Sequence, residues 1–284
     1  MKKIYYITAV FATLFLVGCG DGIDLPGVNV ETDLNKIPLP DNNVNLEQVE
    51  LKPSTEPMLH EGLHTEEDFQ RIRDKKAAGE EPWISAYQLL VESQFSQKTA
   101  DTYPTEWIKR GVSGDENYMN AARGATIVYQ QALRWKIEQD DEYAAKAVEN
   151  LNKWVQTCVG VTGNTNLSLA AGLYGYEFAI AGELLRDYGG WDRADFAAFQ
   201  NWLLKVFYPA NDDFLKRHHD TNALHYWANW CLCNIAAKMA IGIVTDRRDI
   251  YNEGIAHLQT GDTNGRLRRA IYHDYAPDYN FAQW

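Results

Sequence analysis

From residue 65 onward the apolar positions recur every three or four residues, the period of helices with one buried face. TEED at 65–68 resembles a capping box with Asp68 in the place of Glu, and Phe69, Ile72 and Arg73 follow at helical spacing. Pro82 stands where a first helical turn tolerates proline, and Trp83, Tyr87, Leu90 and Val91 make the next stripe. Further periodic segments cover residues 116–138, 141–158, 167–188, 192–207, 225–243 and 247–258. The breaks between them, GVTGNTN, DYGGWD, YPANDD and TDRRD, are rich in turn residues. No run alternates as a strand would. The pattern predicts an all-α chain whose helices, joined by short polar loops, pack as antiparallel hairpins. A series of such hairpins with aromatic inner faces suggests an α/α toroid, here incomplete because too few hairpins are present to close a ring. A solenoid is the rival, but no fixed repeat is visible.

The first residues do not fit this pattern. Lys2 and Lys3 precede an apolar run at 4–17 that is too short for a stable membrane span. LVGC at 16–19 looks like a bacterial lipobox, which predicts a signal peptide at 1–18, cleavage before Cys19, and lipid on Cys19. Gly20 after it leans toward the outer membrane. Residues 19–56 carry Pro, Asn, Asp and Gly without a sustained period and read as a flexible tether. Residues 57–284 are long enough for one sizeable core.

Composition narrows the function. A formal net charge of -12, with no basic face, argues against nucleic acid as a partner. Nine Trp and sixteen Tyr suit stacking on sugars, though a large helical core would use them too. Cys158, Cys231 and Cys233 give no obvious disulfide framework.

The densest chemistry lies in HHDTNALHYWANW at 218–230. His218, His219, Asp220 and His225 are metal-ligand types, but zinc motifs on helices place ligands at i and i+4, and only His225 falls in the predicted helix. No metal and no cofactor is expected. Asp212, Asp213, Asp220 and Glu183 could supply a glycosidase carboxylate pair, yet none stands out from ordinary loop or helix-end acids. Asn222, His225 and Asn229 fall near one predicted helix face, beside Tyr226, Trp227 and Trp230. Such a line of donors can grip a carboxylate, or it can merely cap the helix; the residues alone leave both open. RLRRAIYHDY at 266–275 places Arg266, Arg268 and Arg269 ahead of Tyr272, His273 and Tyr275. Local positive charge in an acidic chain can recruit an anion and favour a phenolate, so that a tyrosine takes a proton near neutral pH.

Three stretches, HEGLHTEEDFQRIRDKKAAGEEPW, SLAAGLYGYEFAIAGELLRDY and NALHYWANWCLCNIAAKMAIGI, resemble segments of the alginate-lyase superfamily of polysaccharide lyases, in the expected order. The resemblance covers roughly residues 57–284. It implies an α/α toroid that cleaves a uronic-acid polysaccharide by β-elimination. It assigns His225, with Asn222 or Asn229, and Arg268 or Arg269, to neutralising the uronate carboxylate. Ala223 and Leu224 separate Asn222 from His225, a departure from the family's adjacent pair. Tyr275 matches the tyrosine that removes the C5 proton and protonates O4, with Tyr272 second. Asn229, Tyr226, Trp230, Tyr272, Asn166 and Tyr174 are the substrate-binding candidates. The sequence stops at NFAQW, where relatives are expected to continue into further helices, so a truncated product is expected.

The expected partners are therefore an anionic polysaccharide and a membrane reached through the lipid anchor, with a degenerate glycan-binding lipoprotein as the alternative function. If Cys19 carries the lipid, Cys19→Ser moves the protein from the membrane to the soluble fraction. Unchanged partitioning of that variant contradicts the lipoprotein reading.

Overall fold

Thr65 starts the first helix by the predicted reciprocal bonds. Its Oγ1 accepts from the Asp68 amide at 3.1 Å, and Asp68 Oδ2 accepts from the Thr65 amide at 3.0 Å. The computed structural model describes Met58, His60 and residues 62–272. Within them run α1 (Glu66–Ala77), α2 (Trp83–Glu92), β1 (Trp107–Arg110), α3 (Tyr118–Glu138), α4 (Asp141–Thr157) and β2 (Gly160–Gly163). Then come α5 (Leu167–Leu184), α6 (Arg193–Val206), α7 (Tyr208–Arg217), α8 (Ala228–Val244), α9 (Arg248–Thr260) and α10 (Leu267–Tyr272). Among the described residues the fold is all-α but for these two four-residue strands.

The burial of each helix follows from its pattern. α4 buries Tyr143, Ala144, Ala147, Val148, Leu151 and Trp154, one face at spacings of three and four, and lies against α3. α5 has almost no polar face and is buried nearly all round, so it must sit inside the molecule. It packs between α3 and α8, which gives an inner row of three helices with α4, α6 and α9 outside it. This is the paired inner and outer helix arrangement of an α/α toroid. Phe178 of α5 stands among Trp154, Trp202 and Phe207 with ring centroids 5.2–6.0 Å apart, so much of the aromatic content is core.

Three sequence expectations are corrected. β1 and β2 pair in parallel, Trp107 opposite Gly160 and Arg110 opposite Gly163, where no strand was expected. At four residues each they are too short for alternation to register. YPANDD is not a break but the start of α7, with its proline in the first turn, where a missing N–H is harmless. The helix expected from 225 begins only at Ala228, so Asn222, His225 and Asn229 do not share a helix face.

The parallel strands fix the direction of the inner row. Each is followed after a short loop by an inner helix, and Asn117, just before α3, bonds back to β1, so α3 and α5 start at the same end. Lys238 of α8 then ties this row to its surroundings. It is fully buried, yet its Nζ lies 2.6 Å from both Asp212 of α7 and Glu253 of α9. Breaking a buried ion pair leaves charges uncompensated.

Lys238→Met keeps the volume and removes the cation, and should lower the unfolding free energy by roughly 3 kcal/mol in urea titration. An unchanged midpoint would contradict the role given to this bridge. Burial, helped by Lys238, pushes the nearby His257 down to about 4. That group is held neutral by the fold, so its contribution is present above pH 6.5 and lost as pH falls toward 4. Removing the lysine should shrink this acid-side loss.

Candidate active site

α7 ends in an unusual way. His218, His219 and Asp220 all have left-handed backbone, with φ of 50°, 53° and 59°, although none is glycine. Three such residues in a row cost on the order of 1–3 kcal/mol each and persist only where the surroundings over-determine them. Here the surroundings do. Phe214 packs against the rings of His218, His219, Tyr226 and Trp230 at 5.1–5.9 Å. His219 Nε2 lies 2.9 Å from Ser168 Oγ in the first turn of α5. Asp220 pairs with Arg217 at 3.0 Å, and Thr221 Oγ1 donates to the His218 carbonyl. Burial lowers the pKa of both histidines.

The His219–Ser168 contact brings the segment before α8 to the end where α3 and α5 begin. Between 220 and 228 the chain turns rather than coils. Asn222 Oδ1 accepts from the Leu224 amide at 2.8 Å, and the His225 amide donates to the Asn222 carbonyl at 2.9 Å. Tyr226 turns inward, 8% exposed, and packs at a tilt against Trp230, ring centroids 4.7 Å apart. Asn264 clamps the segment from behind, its Nδ2 donating to the carbonyls of Leu224 and Tyr226 at 3.0 and 2.6 Å. Asn222, His225 and Asn229 are therefore left exposed around the start of α8. Trp227, 61% exposed, provides no side-chain cap there, so the first turn keeps the partial positive charge of a helix N-terminus. Amides, an imidazole and a helix dipole at one mouth can hold a carboxylate.

The other candidates are placed less uniformly. Asn166 is the residue before α5 and donates to Asn164 Oδ1 at 3.0 Å. Tyr174 lies two turns into α5, 6% exposed, its hydroxyl pushed up to about 12 by burial. Arg269 of α10 is bound to Asp262 at 2.9 Å. Arg268 and Tyr272 share that helix, while His273 and Tyr275 lie outside the described residues.

Among the described residues no three His, Cys, Asp or Glu side chains come together as a metal site would require. Asp212, Asp213, Asp220 and Glu183 are each engaged in ion pairs, with Lys216 and Lys238, with Arg217, again with Arg217, and with Arg186. Two clefts, of about 350 and 260 Å³, share no residue with the mouth of α8.

Sequence reasoning missed several polar residues on the inner row. Glu177 of α5 accepts from Thr126 Oγ1 at 3.0 Å, and burial pushes its carboxyl up to about 7. His64 Nε2 lies 2.6 Å from the Tyr129 hydroxyl. The lone acid within the apolar stretch LAAGLYGYEFAIAG was a readable signal for Glu177. Asn264 and Ser168 carried none.

Residues 72–270 match the family model described as alginate lyase. The chain belongs to the alginate lyase family. The match runs from within α1 into α10 and includes the whole mouth of α8. No curated protein matches the chain. Membership supports a polysaccharide lyase role for this alginate lyase family member, with an anionic polysaccharide as its class of substrate.

Proposed function

We propose that the protein cleaves alginate or a related polyuronide by β-elimination at the mouth of α8, while anchored in the cell envelope by lipid on Cys19. The observation that carries this reading is the exposure of His225, Asn222 and Asn229 around the uncapped start of α8 in a member of the alginate lyase family. Abstraction of a proton next to a carboxylate requires that its charge be met, because negative charge grows there in the transition state. His225 and Asn222, helped by the helix dipole, meet it.

The tyrosine of YHDY, Tyr275, takes the C5 proton, and Arg268 or Arg269 favours its phenolate. The released electron pair forms the C4–C5 double bond and the C4–O4 bond breaks. The same hydroxyl then returns its proton to O4. No water enters, so the new chain end carries an unsaturated uronate. Tyr226 and Trp230 brace the mouth from within, Tyr174 is buried in α5 rather than open to a sugar, and Asn229, Asn166 and Tyr272 complete the substrate contacts.

The test is to incubate the protein with a panel of polyuronides and follow the ultraviolet absorbance of the unsaturated product. Elimination on at least one of them is expected. Binding without product would support the alternative, a non-catalytic glycan-binding lipoprotein. In an active preparation, His225→Ala should lower kcat more than it raises KM, since the charge matters most in the transition state. Tyr275→Phe should lower turnover by about 10²–10⁴-fold while the fold is retained. Near-normal turnover in Tyr275→Phe together with collapse in Tyr272→Phe would move the base to Tyr272.

A further inference from the structure

Asn264 lies in the loop GDTNG at 261–265, between α9 and α10, and is 3% exposed. The loop is wedged against the start of α8. Thr263 is buried too, and its Oγ1 accepts from the Gly265 amide at 3.1 Å. A β-carbon on Gly265 would stand 2.5 Å from Cys231 Cβ, so the loop reaches α8 only because this residue has no side chain.

Both donors of the Asn264 amide go to one stretch of chain. Nδ2 donates to the Leu224 carbonyl at 3.0 Å and to the Tyr226 carbonyl at 2.6 Å, the residues on either side of His225. Carbonyls can only accept, so the NH2 group must face them and the amide has one orientation. Its Oδ1 is then left buried without a hydrogen-bond partner. An unpaired buried acceptor is unfavourable, and the fold keeps it where both neighbours of His225 are held.

The same loop leads into the other half of the site. α10 starts at Leu267, carries Arg268 and Arg269, and runs on toward YHDY. Its start is tied back to the loop and to α9, with Arg269 bound to Asp262 at 2.9 Å and Arg266 Nε donating to the Gln259 carbonyl at 3.0 Å. Asn264 therefore stands where the chain bearing the imidazole meets the chain bearing the arginines.

We infer that Asn264 is a positioning residue, which sets His225 in register with α10 through two backbone carbonyls and does not touch substrate. The inference rests on the polyuronide reading above and adds a residue to it. Misplacing a reacting group by about 1 Å can lower its rate on the order of 10²-fold, so the effect of losing the clamp falls on kcat.

The test compares wild type with Asn264→Asp, which keeps the shape and loses both donors, and Asn264→Leu, which keeps the bulk and makes no hydrogen bond. Leu151→Ala, which empties a fully buried position in α4, is the control for lost stability alone. Each is assayed for unsaturated product and for unfolding temperature, and its His225 ring signals are recorded by NMR without ligand. Both Asn264 variants should lower kcat by about 10–100-fold with KM changed less than about twofold. Their His225 signals should move toward those of an unstructured peptide. Leu151→Ala should unfold at a lower temperature yet keep its kcat and its His225 signals.

A kcat that follows unfolding temperature across all three variants would mark Asn264 as structural and overturn the inference. Unmoved His225 signals in Asn264→Asp would overturn it as well. A wild type that binds oligouronate without forming product would count against the lyase reading, while the ring signals still decide the role of Asn264. Should neither Asn264 variant fold, the wild type decides. On titration with a short oligouronate its Asn264 side-chain amide signals should shift along the same saturation curve as the His225 ring, and unmoved amide signals would overturn the inference. No oligouronate binding to the wild type would overturn both readings.

Discussion

Gly172 of α5 lies so close to α8 that a β-carbon there would sit 2.6 Å from Cys233 Sγ and 3.1 Å from the Asn234 amide nitrogen. With hydrogen in place of a side chain the two backbones approach, and the inner row closes into one rigid seam. α8 then carries Lys238 to Asp212 and Glu253, while Asn234 accepts from Asn211 at 2.8 Å. The position of α7 and α9 thus follows from how α8 meets α5. So does the mouth, because the segment leading into α8 must bridge from the end of α7 to a helix start fixed beside Ser168.

That bridge explains the strained backbone at His218–Asp220. Reversing direction within a few residues places three non-glycine residues in left-handed conformation, and the Phe214 cluster, Ser168 and Asn264 supply the contacts that hold them. The arrangement turns Tyr226 inward and leaves His225, Asn222 and Asn229 outward at a positive helix end.

What could be read from the sequence was local. The capping box at Thr65, the turn residues between helices and the apolar stripe of α4 each depend on neighbours within one turn, and they gave the helix class and most boundaries. The start of α8 was misread because the apolar period continues through His225 and Tyr226, while Asn264, some forty residues away, holds that stretch out of the helix. Proline concealed α7 by marking a start as if it were a break. The histidine, aspartate and asparagine types between 218 and 229 suggested a shared helix face, which the late start of α8 does not allow.

The central claim is that the mouth of α8 holds a substrate carboxylate through His225. It is tested most directly by following the seven histidine side chains by NMR as a short oligouronate is added, with His225→Ala used to assign the signal. The His225 ring resonances should move in step with binding, and the carboxyl-reduced sugar should leave them in place. Saturable oligouronate binding with the His225 signals unmoved would contradict the account.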